Sequence, residues 1–374
     1  MKAVAIIGAM YGDEGKGLMT DYICHQLQKS EGRNGLVVRF QGGAQSGHTV
    51  VTPEGKRHIF SHFGSGTLLG VPTVLGPKFV CNPHIFVKEH EELKNLYPSI
   101  PPIFVDIRCY VTTPYDVVLN QEIEKSRGDN RHGSVGVGFG ETIEREEVGG
   151  VRLTFNDLFM RSNDLVNRLD DIRSYFFKRM GYLGLDYPYW AESHQIIPKF
   201  LDEIKVFRTL AIPFAFDINK SSDFIVFEGG QGLGLDMEFG QFPHVTRSRT
   251  GTIHAQEFCD EHDIELDEVI YVSRAYITRH GAGPLEGEVD LLGYINLNDE
   301  TNTQNEYQGK LRLAPFDFEL IAGNMAKDMG DHNSNASLAI TCMDQICKEG
   351  SGPDESLASY ASYGPTRNDV KQIG

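Results

Sequence analysis

The chain has 374 residues, of which 40% are hydrophobic and 10% aromatic, enough to build a sizeable core and to exclude a fibrous or largely disordered protein. Thirty-five Lys and Arg against 52 Asp and Glu give a net charge of −17, which disfavours nucleic acid and anionic membranes as partners, so any phosphate site must be local. The six cysteines show no CxxC pair and no zinc-like spacing, no stretch reaches the roughly 18 apolar residues of a membrane span, and the N-terminus lacks a cleavage-type segment; a reducing cytoplasm is the expected compartment.

In chain order, Ala3 to Gly8 is a short, continuous apolar run that predicts a strand buried on both faces of a parallel sheet. A Gly-rich turn follows, then Leu18, Met19, Tyr22, Ile23 and Leu27 at helical spacing, then a second apolar run from Gly35 to Phe40. That is a βαβ opening. Further strands are predicted at 103–105, 224–227, 269–276 and 338–341, with helices near 115–126, 156–180 and 317–327. The alternation predicts an α/β fold with a mostly parallel central sheet. Two segments, 126–150 and 294–314, are rich in Gly and polar residues and predict long functional loops.

The first turn reads Gly8-Ala9-Met10-Tyr11-Gly12-Asp13-Glu14-Gly15-Lys16-Gly17. Backbone N–H groups of such a turn and the helix N-terminus bind anions, and Lys16 adds a point charge for the outer phosphates. It is not a regular Walker A loop, because Gly17 stands where a Mg²⁺-binding Ser or Thr belongs. Asp13 is therefore the expected Mg²⁺ ligand. At the end of the second strand lies Gln41-Gly42-Gly43-Ala44-Gln45-Ser46-Gly47-His48-Thr49. Ligands bind beyond strand C-termini in such sheets, so Asp13 and His48 form a candidate acid/base pair over a phosphate cradle.

GDEGKG after one strand and GG-x-x-x-GHT after the next resemble adenylosuccinate synthetase. The resemblance continues through Phe227-Glu228-Gly229-Gly230-Gln231-Gly232 (family F-E-G-A-Q-G) and Phe242-Pro243-His244-Val245-Thr246 (Y-P-Y-V-T). It extends through Ala275 to Pro284 (AYITRHGAGP against A-Y-S-T-R-V-G-A-G-P), Thr341 to Asp344 (T-K-L-D) and Tyr363-Gly364-Pro365 (S-G-P). The resemblance implies a single synthetase-like domain over 1–374, with excursions near 126–215 and 285–316 and a P-loop-like phosphate site. It also implies a ligase joining L-aspartate to C6 of a 6-oxopurine nucleoside monophosphate. Asp13 takes the N1 proton, the 6-oxygen attacks the γ-phosphoryl of ATP or GTP, His48 steadies the developing charge, and aspartate displaces the 6-phosphoryl group. Mg²⁺ is implied on Asp13 and the carbonyl of Gly47, with Lys16 offsetting phosphate charge.

By the same resemblance, the triphosphate is expected against Gly12, Glu14, Gly15, Lys16, Gly17, Arg312, Asp344, Gly364 and Pro365. The monophosphate is expected against Asp13, Gln45, Ser46, Gly47, His48, Ser134, Val135, Gln231 and Thr246, and aspartate against Lys310 and Arg312. A homodimer is implied, with Arg145 or Arg152 lent across the interface.

Departures from the pattern bear on substrate. Gln45-Ser46 replaces the family's N-A, Gly133 to Gly138 (GSVGVG) replaces G-T-T-G-R-G, and the arginine-rich loop is reduced to Gln308-Gly309-Lys310-Leu311-Arg312. Loss of the first loop arginine puts ribose 2′-hydroxyl recognition in question, and the Ser46 hydroxyl can accept from a purine 2-amino group. These changes resemble the phage branch of the family, which uses dGMP; IMP is the alternative. Cys342 replaces the Lys of T-K-L-D, which leaves ATP and GTP both open, ATP slightly favoured. A nucleotide sensor without activity is the reading from another class, opposed by the joint presence of Asp13, Lys16, His48 and Gln231. Trp190 is expected in packing.

Overall fold

The computed structural model describes residues 1–193, 195–289, 295–297, 311–330, 334–347 and 352–373. The first strands are β1 (Lys2–Gly8), β2 (Gly35–Gly43), β3 (His48–Val51), β4 (Arg57–Phe60) and β5 (Thr73–Cys81). Next come β6 (Ile103–Val105), β7 (Tyr110–Val111), β8 (Ala211–Pro213), β9 (Phe224–Gly232) and β10 (Glu268–Arg274). The last are β11 (Tyr276–His280), β12 (Leu311–Pro315), β13 (Asn335–Thr341), β14 (Tyr360–Ser362) and β15 (Val370–Gln372). Eleven of them make one sheet in the order β15-β14-β13-β10-β1-β9-β2-β5-β6-β8, with β7 also on β5. Every pairing is parallel except β14 with β15. The expected α/β class with a mostly parallel sheet is what the chain adopts.

Strand alternation sets the two faces. Ala3, Ala5 and Ile7 of β1 pack with Ala255 and Phe258 of the helix Ile253–Glu261 and Ile321 of the helix Phe318–Met329. Val4 and Ile6 point the other way, against Leu18, Met19, Tyr22 and Ile23 of α1 (Lys16–Ser30). Because helices cover both faces, the strands read as unbroken apolar runs. A second cluster around Leu75, Phe86, Phe176 and Phe207 fills the end of the sheet near β6 and β8.

Several elements differ from the sequence reading. The run 269–276 is not one strand: it breaks at Ala275, and Tyr276–His280 leaves the sheet to form a hairpin with Leu311–Pro315. The helix expected over 156–180 is a short turn, Asn156–Phe159, followed by a helix at Ser162–Leu183. The expected loop 126–150 contains the helix Phe139–Glu147, started by Gly138 in the left-handed region at φ 83. The strand Thr73–Cys81 and the helices Pro83–Leu96 and Ile196–Leu210 were not predicted. Trp190 is 52% exposed and so does not pack the core. No helix among the described residues is long and apolar enough to cross a membrane.

Candidate functional site

The C-terminal ends of β1, β2, β9, β10 and β13 share one edge of the sheet, and a cavity of about 660 Å³ opens there. Its floor is the first loop. Gly12, Asp13 and Gly15 all have positive φ (90°, 58° and 90°), which turns the loop back on itself ahead of α1. Gly17 has no side chain for a geometric reason: a Cβ there would come within 2.8 Å of the Thr49 carbonyl oxygen and 3.2 Å of the His48 Cβ. The two strand-end loops thus pack directly on each other, and no residue with a side chain fits at the position of a Walker Ser or Thr.

The two acids of the loop have different surroundings. Asp13 is 31% exposed and faces the cavity. Glu14 is buried beneath the loop, where Oε1 accepts from the Met10 N–H at 2.5 Å and Oε2 lies 3.6 Å from Lys16 Nζ. Burial raises its pKa against the pull of Lys16. The Glu14 side chain therefore fastens the loop from below, while the residue still lines the cavity. Asp13 carries the loop's partly exposed carboxylate, with His280 Nε2 3.6 Å away.

His48 is held by Glu228 of β9, with Nδ1 2.6 Å from Oε1 and Nε2 3.4 Å from the Gly230 carbonyl at the cavity wall. Burial pushes the His48 pKa down and the Glu228 carboxylate pushes it up. Glu228 is itself fully buried; burial works to raise it, and His48, Arg39 and the Ser65 hydroxyl overcome that and hold it at about 2. Arg39, fully buried on β2, donates to the Ser46 carbonyl at 3.1 Å and the Ser46 Oγ at 3.0 Å. Sequence reasoning assigned no role to Arg39 or Glu228. The signals were an arginine inside the apolar run GLVVRF and the acid of FEGGQG.

Ser46 Oγ also donates to the Gly43 carbonyl at 2.7 Å, so its proton is engaged and one acceptor lone pair remains. The buried Gln45 amide has no hydrogen-bond partner at either atom. Ser134, Val135, Gln231, Thr246 and Gly47 line the same cavity, with Ser134 Oγ donating to Asn120 Oδ1 at 3.0 Å. Glu141, also unforeseen, lines it too; burial raises its pKa to about 7, and Oε2 has no partner.

Among the described residues, five predicted for the nucleotides or aspartate do not line this cavity: Gly12 within the first loop, and Arg312, Asp344, Gly364 and Pro365. Asp344 follows β13 in a short turn after Cys342, whose φ is 61°. Gly364 and Pro365 follow β14, and their loop is tied down by Arg367 to Asp21 of α1 (3.1 Å) and by the Thr366–Asp369 capping box. All three residues sit beyond strand C-termini, and Thr341 Oγ1 at the end of β13 donates to the Glu14 carbonyl at 2.9 Å. Arg312 points its guanidinium at Glu288 (3.0 and 2.5 Å) and at the carbonyls of Gly281 and Gly283. Lys310 lies outside the described residues. Arg145 is fully buried on Asp116, Glu146 and two carbonyls, which removes it as the arginine lent to a partner; Arg152 is exposed.

A glycine-rich loop, a partly exposed carboxylate and a buried His–Glu pair gather at one strand-end cavity of an α/β protein with a mostly parallel sheet. The sequence profile of the adenylosuccinate synthetase family matches residues 5–346, and the chain belongs to that family. Adenylosuccinate synthetase of Picosynechococcus is 31% identical over 362 residues, covering 92% of this chain and 75% of the relative. The Borrelia recurrentis enzyme is 30% identical over 293 residues, 77% of this chain and 65% of that protein's length. Among solved structures, the fully ligated Plasmodium falciparum adenylosuccinate synthetase shares the fold at a TM-score of 0.76 with 17% identity, covering 100% of both chains. The cyanophage S-2L succinoaminodeoxyadenylate synthetase bound to dGMP and dATP matches at 0.67 with 17% identity, over 99% of this chain and 95% of that one.

Proposed function

We propose that the chain is a ligase that joins L-aspartate to C6 of a 6-oxopurine nucleoside monophosphate at the expense of a nucleoside triphosphate. The observation that carries this reading is the common cavity of Asp13, Lys16 and the His48–Glu228 pair. An amide-like 6-oxygen is a poor leaving group and must first be phosphorylated. Asp13 accepts the N1 proton, which raises the nucleophilicity of the 6-oxygen toward the γ-phosphorus. His48 presents Nε2 to the charge that develops there, and the Glu228 carboxylate orients the ring and stabilises its protonated form. The amino nitrogen of aspartate then bonds to C6 as phosphate leaves.

Mg²⁺ fits this site. Asp13 and Gly47 offer a carboxylate and a backbone carbonyl, both hard oxygen donors, and among the described residues no cluster of three His, Cys, Asp or Glu side chains could hold a metal alone. That donor set suits an ion whose remaining positions go to water and substrate phosphates. When bound it neutralises phosphate charge.

The substrate we favour is dGMP, because one Ser46 lone pair and the unpartnered Gln45 amide leave acceptors for a purine 2-amino group. IMP is the second reading, favoured by the curated relatives and by the presence of Asp13. ATP or GTP serves as donor, with Asp344, Gly364 and Pro365 grouped for its base, and a cytoplasmic homodimer with Arg152 at the interface is the assembly we infer. The test measures phosphate release dependent on aspartate, then kcat/KM for dGMP, GMP and IMP with ATP and with GTP. A preference of about ten-fold to a hundred-fold for dGMP is expected, the worth of one buried polar group left unpaired. IMP ahead by ten-fold makes the chain an unusual adenylosuccinate synthetase. No aspartate-dependent release at all sinks the ligase reading.

A further inference from the structure

We propose that His280 holds the amino nitrogen of the aspartate co-substrate, an inference that rests on the ligase reading above. His280 is the last residue of the strand Tyr276–His280, at the hairpin end that meets the cavity. The side chain is 6% exposed and lines the cavity, yet neither ring nitrogen has a hydrogen-bond partner. Buried polar atoms in folded proteins are nearly always paired, and an imidazole left open on a cavity wall is completed by what enters the cavity.

Position selects the ligand group. His280 Nε2 is 3.6 Å from Asp13 Oδ2, too far for a hydrogen bond but next to the carboxylate assigned to the purine N1. Along the hairpin, His280 pairs in register with Leu311, and the Arg312 guanidinium donates to the carbonyls of Gly281 and Gly283, which follow His280 in the chain. The cavity-lining ring and the arginine proposed for a substrate carboxylate thus belong to one end of the same hairpin. An aspartate with its carboxylates toward Arg312 and its nitrogen toward C6 brings that nitrogen to the Asp13 side of the hairpin, where the open ring of His280 stands. A ring nitrogen can accept from an amine or ammonium N–H, which an aliphatic side chain cannot. The carboxylate of Asp13 so close by disfavours a second anion at this spot and favours the cationic end of the amino acid. The role is one of positioning and involves no proton transfer.

The experiment uses the full chain, after aspartate-dependent phosphate release has been established for it. His280→Val removes both ring nitrogens, and His280→Phe keeps the ring volume without nitrogens and serves if the first fails to fold. Both should raise the aspartate KM about ten-fold or more and leave both nucleotide KM values within about two-fold. His280→Gln, which retains an acceptor and a donor, should recover part of the loss. Succinate separates this role from a structural one, since it keeps both carboxylates of aspartate and lacks the amine; its inhibition constant should stay within about two-fold. A succinate constant that rises in parallel with the aspartate KM, or a monophosphate KM that rises in its place, overturns the proposal. Absence of aspartate-dependent release in the unaltered chain would instead defeat the ligase reading, before any variant is made.

Discussion

Asp13 occupies the left-handed region at φ 58°, a conformation that costs most residues energy and that Asn and Asp tolerate best. Asp13→Asn is therefore the cleaner probe: the loop should keep its shape and the melting temperature should stay near that of the unaltered chain. Turnover should fall on the order of 10²-fold to 10⁴-fold, the usual range for removing an acid/base group. Unchanged rates would refute the assigned mechanism. A second residue-scale test concerns Glu228. Glu228→Gln leaves His48 with a neutral partner that cannot stabilise an imidazolium, so kcat should drop by about 10²-fold with little change in the nucleotide KM values. An equal rise in every KM would point to a distorted cavity instead. The sequence reading chose Asp13 of the loop's two acids without a physical ground for setting Glu14 apart. Burial supplies that ground, because Glu14 turns under the loop to the Met10 N–H while Asp13 stays partly exposed.

The hairpin of β11 and β12 holds the arginine proposed for the aspartate carboxylates in an ion pair of its own. Arg312 is fixed by Glu288, a bidentate partner, and a substrate carboxylate must compete with it. Glu288→Ala should lower the aspartate KM by a few-fold, since the pair is partly exposed and worth no more than about 1 kcal/mol. Arg312→Leu should raise the aspartate KM far more than either nucleotide KM. Steady-state kinetics on both variants decide the matter. The same hairpin marks a limit of sequence reading: 269–276 is one apolar run, and nothing in its periodicity signals that Ala275 bonds to Thr341 and that the chain then leaves the sheet. The central strands and α1 were legible because burial on both faces makes them continuous apolar runs. Helix Pro83–Leu96 was legible in principle, since Asn82 caps it by accepting from the Ile85 N–H and Pro83 stands at its first position. Of the candidate site, the Asp13, Lys16 and His48 loops could be read from their glycines. Arg39 and Glu228 could not, because an isolated charge in an apolar run reveals its partners only when the strands are placed side by side.

At the scale of the whole molecule, stability in acid rests on carboxylates buried in the fold. Glu89 accepts from the N–H groups of Ser61, His62 and Phe63 and from His62 Nδ1. Burial works to raise its pKa, and His58, His62 and the Ser61 N–H outweigh that and hold it at about 2. A carboxylate held below its unfolded value of 4.5 contributes stability that is complete above about pH 4.5 and is lost as pH falls toward 2. Denaturant unfolding should thus show a marked loss between pH 5 and pH 3, with a shallower pH dependence in Glu89→Gln. A loss of equal size in that variant would assign the acid sensitivity elsewhere. The order of the strands has a further consequence, for the growing chain on the ribosome. Strand β9, which carries Glu228 and Gln231, lies between β1 and β2, although both of these precede it by most of the first half of the chain. At about 5–20 residues per second, on the order of ten seconds or more separates synthesis of β2 from that of β9. During that interval the first βαβ unit has a gap where its central neighbour belongs, and two long apolar strand edges stay unpaired. The phosphate loop is among the first parts made, but His48 has no Glu228 to hold it until the chain is more than half complete.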